Sequence, residues 1–535
     1  MSAEIEYKTE EEIDEIEETD SVYSSNNTDT LEDESPECTS IFDIISEDDL
    51  CNAEENIKEY IDECMKQMML QMSSPYFYES LVQEISQNVL DEWIAAGLCK
   101  SQFEEHHYDE IVEMVDRLCV AHFEMSNIPL RQEPTVDTVV SVNTPEEILS
   151  KLARIQSAEQ AKQRTVEWYE SRYNLLTASN LWKVFGSPAQ YNSLIYEKCK
   201  PLVIHDRQNS SICVDSNSTL QHGIRYEPLS ILLYERLYGT KVCDVGCIPH
   251  SEYSYIGASP DGIIMDPACP RYGRMIEVKN IVNRDITGVP LDSYWIQMQL
   301  QMEVCDLDEC DFIETRFIPF ENIESFCQYL TMKQTNDTEL EPEPDAVVDN
   351  QFTYETPNVV SSGIAQFTYE TPDVVSSGIA QTGLILYLYP RTMIGDTVTD
   401  VSPEYMYLPL GVDPLSEDAA EWIKTQCAEH PRHVLYKKTY WVLDQFSCVL
   451  VRRNREWFRE ALPKIEEAWN TILVERKTGY EHRATNPANT PNKKKKIQTE
   501  VVCSDTTTTH YIRNMPLSNT ICLVKLGGGG TDGSP

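Results

Sequence analysis

The chain carries Gly257-Ala258-Ser259-Pro260-Asp261-Gly262 and, further on, Ile276-Glu277-Val278-Lys279. The Pro-Asp-Gly of the first stretch is strong turn chemistry, and the apolar residues of the second predict a strand. Side chains at alternate positions of a strand share one face, so Glu277 and Lys279 project together. The two stretches therefore predict two carboxylates and one ammonium group close together on a sheet.

The residues between these stretches predict a hairpin. Ile263-Ile264-Met265 follows the turn as one short strand, and residues 275–278 supply its partner. Such pairing would bring Asp261 and Glu277 to one end of the sheet, with Val278 pointing into the core. Two converging carboxylates suit a hard divalent cation such as Mg2+, which takes oxygen ligands and keeps waters for a phosphate. The neighbouring lysine can orient or help deprotonate an attacking water and offset charge on the phosphate.

An Asp at a turn followed by Glu-x-Lys on a strand is typical of metal-dependent phosphodiesterases of the PD-(D/E)xK type. The same letters also fit a solvated turn Asp and a Glu/Lys pair on an edge strand, and spacing alone does not separate the two interpretations. Further blocks flank the central motif in a fixed order. They are Arg172 with Leu176-Thr177-Ala178-Ser179, then Leu220-Gln221-His222-Gly223-Ile224-Arg225-Tyr226-Glu227, and then Tyr294-Trp295-Ile296-Gln297.

Together these blocks resemble the YqaJ viral recombinase family, which includes lambda exonuclease-like PD-(D/E)xK nucleases. The resemblance covers roughly residues 160–320 and is looser over 384–475. It implies an α/β fold of the α+β type: a restriction-endonuclease-like core whose mixed central sheet is flanked by helices. It also implies a DNA nuclease that depends on Mg2+, with Mn2+ as a substitute. The expected activity is 5′→3′ exonuclease cleavage of duplex DNA in viral recombination or replication.

The resemblance implies three kinds of role for the residues that match its motifs. Carboxylates and a main-chain carbonyl would hold the metal, the lysine would orient the attacking water, and guanidinium and hydroxyl groups would hold a 5′-terminal phosphate. The catalytic set is Glu227, Asp261, Glu277, Lys279 and Gln297. The metal ligands are Asp261, Glu277, the Val278 carbonyl and Glu227, the last directly or through water. The phosphate-binding set is Arg172, Ser179, Ser259 and Gln297.

Two other functions remain compatible with these motifs. An endonuclease or junction resolvase can be built on the same core, and a nuclease-fold protein can serve as a DNA-binding scaffold without cutting. The intact set of expected catalytic residues favours an enzyme over the scaffold. By analogy with the family, the expected partners are duplex DNA ends, a single-strand annealing protein and further copies of this chain, with no membrane.

Composition limits these functions only in part. The chain has 535 residues, 41% of them hydrophobic, and a formal net charge of −46. Acidic residues are concentrated near the N-terminus, because residues 1–65 hold 24 Asp and Glu against Lys8 and Lys58. Proteins that bind nucleic acids normally present positive charge to phosphates. The overall acidity therefore argues against DNA binding, but its concentration in one segment weakens that argument.

The sequence also suggests where the protein works. We find no apolar signal segment at its start and no apolar run as long as a membrane span. We therefore expect an intracellular protein, in the host nucleus or cytoplasm and not secreted, whose 17 Cys are reduced thiols. The run Lys493-Lys494-Lys495-Lys496 fits either a nuclear import signal or a solvated charge run.

Composition and periodicity divide the chain into seven segments. Within the C-terminal part, strands are expected near 382–390, 405–410 and 438–451. The predicted segments are an acidic disordered tail (1–54), a small helical N-terminal region (55–130), a linker (131–144), the nuclease core (145–325), a flexible insertion (326–383), C-terminal strands and a helix that complete the nuclease domain (384–476), and a disordered tail with the lysine run (477–535).

Several local features carry their own expectations. Thr144-Pro145-Glu146-Glu147 predicts a helix start, with an N-cap Thr, Pro at the first helical position and acidic residues in the first turn. Pro463 should kink or split an amphipathic helix over 455–472, and Pro228 should kink the helix that carries Glu227 or mark its first turn.

A tandem repeat interrupts the predicted nuclease domain. QFTYETPNVVSSGIA at 351–365 recurs at 366–380, with Asn358 replaced by Asp373. Fifteen residues are too few for a stacking repeat unit. We therefore expect a duplicated surface insertion that interrupts the domain without ending it.

Overall fold

The structure is a computed structural model, and part of the chain lies outside what it describes. The tandem repeat 351–380, the lysine run and most of the predicted acidic tail belong to that part. None of the described helices is long and apolar enough to cross a membrane. The described residues are 40–97, 105–134, 143–158, 160, 165–202, 219–338, 382–391 and 403–484.

Helices make up the N-terminal region. They are α1 (Ile41–Ile44), α2 (Glu47–Met68), a 3-10 turn (Met69–Ser73), α3 (Phe77–Ala95) and α4 (Glu105–Met125). Helical structure thus begins before the predicted boundary at residue 54. The reason is local. The Ser46 hydroxyl accepts the Asp49 N–H at 3.2 Å, and the acidic residues in the first turn of α2 interact favourably with the positive end of the helix dipole.

Five of the described helices follow the N-terminal region: α5 (Pro145–Ser157), α6 (Val166–Tyr173), α7 (Ala178–Leu181), α8 (Pro188–Cys199) and α9 (Thr219–Tyr238). The predicted start of α5 is confirmed, because Thr144 and Glu147 form a reciprocal capping box. Pro228 lies well inside α9, so the prediction that it could mark the first turn is wrong.

The described residues form a mixed central sheet of eight strands. Its order is β10-β9-β11-β8-β7-β6-β3, and β1 pairs with β11 off this path. Only β7 and β8 pair in parallel; the other neighbours are antiparallel. The strands are β1 (Glu133–Pro134), β3 (Val242–Cys243), β6 (Gly262–Ile264), β7 (Met275–Asn280), β8 (Glu309–Phe320), β9 (Thr382–Pro390), β10 (Glu404–Tyr407) and β11 (His433–Arg452).

A smaller sheet lies beside the central one. Its order is β2-β5-β4, formed by Leu176–Thr177, Ile256–Ala258 and Ile248–Pro249 respectively. Its middle strand β5 runs into the Pro-Asp-Gly turn and from there into β6. The small sheet therefore leads directly into the site region of the large one.

The remaining helices are α10 (Asp292–Cys305), α11 (Ile323–Thr338), α12 (Glu417–Glu429) and α13 (Arg455–Thr478). Helix α13 is continuous through Pro463, so the predicted split is wrong. Its apolar residues on both sides of the proline, among them Trp457 and Ile465, are fully buried in one core. Packing of this face holds the helix together across the lost hydrogen bond.

Hydrophobic clusters cover both faces of the central sheet in the described part of the chain. On β7, Met275 belongs to the cluster that includes α10 and α13, whereas Ile276 and Val278 belong to the cluster that includes α9. The predicted α/β class, with a mixed sheet flanked by helices and preceded by a helical region, is confirmed. Residues 277 and 279 consequently lie on the α10 side of the sheet.

Candidate active site and phosphate cleft

The hairpin of β6 and β7 places Asp261 next to Glu277, as the sequence predicted. Gly262 pairs with Ile276 in antiparallel register, so the preceding Asp261 and the following Glu277 are neighbours. Asp261 Oδ2 accepts the Val278 N–H at 2.7 Å. Gly262 is needed at this point, because an added Cβ would lie 2.1 Å from a methyl group of Val242.

Glu277 is a fully buried carboxylate surrounded by donors. The Lys279 ammonium donates to its Oε1, and Lys279 itself is about 22% exposed. Gln297 Nε2 donates to Oε1 and Gln301 Nε2 to Oε2, each at 2.7 Å. Both glutamines lie on α10, one turn apart, on the face that covers the end of β7. The structure therefore brings together four side chains, Asp261, Glu277, Lys279 and Gln297, that the sequence had singled out.

Gln301 is a residue that the sequence analysis gave no role. It is fully buried, and its amide also approaches the Ser259 main-chain oxygen at 3.4 Å. Its spacing from Gln297, four residues along the same helix and so on the same face, was the available signal. The Gln301 Oε1 atom is buried without a hydrogen-bond partner in the described part of the chain. Gln301 thus anchors both Glu277 and the strand that leads to Asp261.

Like charges dominate the electrostatics of this site. Burial raises the pKa of Asp261 well above its usual range, and the carboxylates of Glu277 and Glu227 raise it further. The Lys279 ammonium and the Val278 N–H act in the opposite direction. Burial by itself would lower the pKa of Lys279, but Glu277 and Asp261 outweigh it and hold that pKa above its ordinary value. The site therefore carries more negative charge than its one ammonium group offsets.

Glu227 approaches this site from α9. Ser230, one turn later, anchors the helix: its hydroxyl contacts Asn280 Oδ1 at 2.7 Å and the Thr315 hydroxyl at 2.8 Å. Glu227 is close enough to raise the pKa of Asp261. Among the residues that the structure describes, however, no three His, Cys, Asp or Glu side chains converge as a metal centre.

The oxygen donors present nevertheless fit a hard divalent cation. Asp261, Glu277 and the Val278 carbonyl offer two carboxylates and one neutral oxygen, which leaves the remaining ligands to water or phosphate, as Mg2+ prefers. The crowding that raises the pKa of Asp261 is the condition that a cation would relieve. Glu227 faces the same pair and stays a predicted ligand, directly or through water.

A second polar site lies on the neighbouring small sheet. The Arg172 guanidinium on α6 donates to the Thr177 hydroxyl at 3.5 Å and to the Ser179 hydroxyl at 3.3 Å. It also stacks 4.5 Å from the Trp168 ring. Arg172, Thr177 and Trp168 border a cleft of about 660 Å³. Arg172 and Ser179 are therefore brought together as predicted, and Thr177 joins them.

Ser259 belongs to the same edge of the small sheet. Strands β2 and β5 run parallel, with Thr177 opposite Gly257, so Ser179 and Ser259 follow the same end of the pair. The hydroxyl of Ser259 makes no hydrogen bond to Arg172 in the described part of the chain. Asp261 follows two residues later, so one short segment connects this edge of the small sheet to the carboxylate site.

Comparison with known proteins agrees with this arrangement. Residues 167–308 match the family model of the YqaJ-like viral recombinase domain. An uncharacterized protein of Acanthamoeba polyphaga mimivirus is 23% identical over 348 residues, which are 61% of this chain and 55% of that protein. The match thus spans little more than half of the relative's length.

A solved alkaline exonuclease of Laribacter hongkongensis is also similar. It shares 17% sequence identity, over 59% of this chain and 95% of that one, with a TM-score of 0.28. The same values apply to its complex with dAMP. The family match covers the turn with Asp261, the strand with Glu277 and Lys279, and the helix with Gln297. Residues 167–308 of this chain are therefore similar to the YqaJ-like viral recombinase domain.

Proposed function

We propose that this chain is a metal-dependent deoxyribonuclease that hydrolyses phosphodiester bonds at the ends of duplex DNA. The observation that carries the proposal is the meeting of Asp261, Glu277 and Lys279 at the β6–β7 hairpin, with Gln297 on the same carboxylate. A bland surface turn with an edge-strand pair does not account for it, because Glu277 is fully buried and β7 is an interior strand.

The proposed cation is Mg2+ or Mn2+, held by Asp261, Glu277 and the Val278 carbonyl, with Glu227 acting directly or through water. When bound, it would supply Lewis-acid polarisation of the phosphoryl oxygen and a more acidic water. The protein's own groups prepare the site for it. Gln301 and Gln297 fix the orientation of the Glu277 carboxylate, and the Val278 N–H fixes that of Asp261.

Lys279 contributes positive charge and a hydrogen-bond donor where the phosphate reacts. Its ammonium already donates to Glu277, on the same face of β7, so it stands at the edge of the carboxylate pair. A donor in this position stabilises negative charge that develops on the phosphate and orients the attacking water. Gln297 adds a neutral amide beside it, in reach of the same phosphate.

The cleft beside Arg172 supports action at a 5′ end. Arg172, Ser179 and Ser259, joined by Thr177, offer one guanidinium and several hydroxyls, which is the chemistry that holds a terminal phosphate. The connection from Ser259 to Asp261 is two residues long, so a terminal phosphate held there would set the first scissile bond near the carboxylates. We therefore propose 5′→3′ exonuclease action. An annealing partner protein and a homo-oligomer stay predictions.

Degradation of defined DNA substrates tests this function. Linear duplex with 5′-phosphate, linear duplex with 5′-hydroxyl and covalently closed circles are each incubated with Mg2+, with Mn2+ and with chelator. We expect fastest loss of the phosphorylated linear duplex, slower loss of the hydroxyl form, intact circles and no reaction in chelator. Nicked or cut circles would instead identify an endonuclease. Binding of duplex without any cleavage would identify a scaffold.

A further inference from the structure

The cleft beside Arg172 holds a second cation that no family motif singles out. Lys198 lies near the end of α8, is only 6% exposed and lines the cleft of about 660 Å³. Its ammonium donates to the main-chain oxygen of Arg172 at 2.7 Å. A buried lysine ammonium with a single neutral acceptor is unusual, because removing a charge from water is costly unless a partner of opposite sign replaces the water.

The contacts of Arg172 are also neutral. Its guanidinium meets the hydroxyls of Thr177 and Ser179, the thiol of Cys247 and the ring of Trp168. Neither Arg172 nor Lys198 forms an ion pair with an Asp or Glu of the described chain. Lys198 and Arg172 therefore share one cleft, and neither is paired with a carboxylate of the described chain.

The acidic side chain among the described residues that line the cleft is already paired. Glu197 precedes Lys198 on α8 and lines the same cleft, but its carboxylate accepts from Lys183 at 3.1 Å and from the Asn180 amide at 3.2 Å. Burial lowers the pKa of Lys198 to about 8; Glu197 raises it, whereas Arg172 and Arg476 lower it further. The excess positive charge is thus local to the cleft, although the chain as a whole is strongly acidic.

We propose that Lys198 is a second phosphate-binding residue of this cleft and that, with Arg172, it selects a dianionic terminal phosphate. The inference rests on the proposed function and adds the basis of its end selectivity. A terminal phosphate monoester carries close to two negative charges near neutral pH, whereas an internal diester carries one. Two cations match the first, and a bound dianion would supply the counter-charge that both lack.

Equilibrium binding isolates this role from cleavage. A short duplex with either a 5′-phosphate or a 5′-hydroxyl is titrated in Ca2+, near pH 7, and the ratio of the two affinities is measured. We expect the wild type to bind the 5′-phosphate duplex more tightly than the 5′-hydroxyl duplex. In Lys198→Met the ratio of the two affinities should fall about tenfold, as expected for the loss of one charge-assisted hydrogen bond. Lys200→Met is the matched control, because Lys200 is an exposed lysine on the same cleft. The Lys200→Met change should weaken the binding of both duplexes by the same factor.

A pH series needs no variant and so does not depend on how Lys198→Met folds. The charged groups facing Lys198 are Glu197 on its own helix, Arg172 on α6, Arg476 on α13 and Cys247 before β4. The arginines keep their charge, burial raises the pKa of Cys247 so that it stays a thiol near neutral pH, and the phosphate remains a dianion above about pH 7. As pH rises from about 7 to about 9, Lys198 should lose its proton. The wild type's preference for the 5′-phosphate duplex over the 5′-hydroxyl duplex should therefore fall.

The outcomes separate the two proposals. An unchanged affinity ratio in Lys198→Met, together with a flat pH series in the wild type, overturns the role of Lys198. Cleavage of linear duplex in Mg2+ is measured in parallel on the same proteins. A wild type that cuts no DNA overturns the nuclease proposal, and the binding ratio still decides whether Lys198 recognises a phosphate.

Discussion

Two regions of the molecule carry opposite charge but share one feature, which is buried charge without a full counter-charge. They are the carboxylate site on β6 and β7 and the cation cleft beside α6 and α8. In the first, Asp261 is crowded by Glu277 and Glu227, and only Lys279 offsets them. In the second, Arg172 and Lys198 have only neutral partners among the described residues. Each site buries charge that its own side chains do not neutralise, and a ligand of opposite sign would regain that cost on binding.

A buried network on the other side of β7 shows the contrast. Asp311 accepts from Arg271 at 2.6 Å, from Arg274 at 3.1 Å and from the Tyr234 hydroxyl at 2.6 Å, and Arg274 also pairs with Glu309. Charges there are matched within the protein, which is the pattern of a structural network. A buried charge by itself therefore does not indicate a ligand site. A buried charge without an opposite charge beside it does.

The largest expected effect comes from Lys279→Ala, which removes the ammonium group that offsets the carboxylates of this site among the described residues. Because its ammonium stabilises charge mainly in the transition state, cleavage of linear duplex should slow by roughly a hundredfold or more. Duplex affinity in Ca2+ should change much less, since many phosphate contacts share it. Rates and affinities are compared on one substrate. A variant that loses binding and cleavage equally would contradict the role assigned to Lys279.

Gln301→Met tests whether the carboxylate site depends on a donor that sequence motifs do not include. Without this amide, Glu277 Oε2 loses its donor and the carboxylate is free to turn. We expect the Mg2+ concentration for half-maximal cleavage to rise about tenfold or more. Gln299→Met is the matched control, because Gln299 is equally buried on α10 but bonds Arg452 and Asn454 instead. An equal rise of this Mg2+ concentration in both variants would mean that Gln301 contributes only to packing.

Arg172→Ala tests the cation cleft. Loss of the guanidinium should lower the preference for a 5′-phosphorylated end by about tenfold, as expected for a charge-assisted hydrogen bond. Cleavage of a 5′-hydroxyl end should fall far less. The ratio of the two initial rates is the measurement. A uniform loss on both ends would mean that Arg172 serves the fold, through its stacking on Trp168, and not end selection.

Deleting the tandem repeat 351–380 should have the smallest effect. The described elements on either side are α11, which ends at Thr338, and β9, which begins at Thr382. The residues described for both sites lie outside the interval between these two elements. We expect unchanged thermal unfolding and unchanged cleavage rates. Loss of a cooperative unfolding transition in the deletion variant would show that the repeat supports the fold.

Much of the fold was predictable because the signals are local. The start of α5 depends on a capping box four residues long, and the predicted strand 382–390 matches β9. Boundaries were less predictable where packing overrides composition. Pro463 does not split α13, since apolar contacts on both sides of it hold one continuous helix. The acidic residues before 55 do not prevent helix formation, since Ser46 and the first turn of α2 favour it.

The sequence by itself determined the chemistry of the candidate active site. Asp261, Glu277 and Lys279 meet because a turn, a short hairpin and the two-residue period of a strand are enough to align them. Only the tertiary structure decided that Gln301 binds Glu277 and that Lys198 lies against Arg172. These partners are 24 and 26 residues apart and sit on different elements. Their contacts depend on how α10 packs on β7 and how α8 packs beside α6, and no local periodicity encodes such packing.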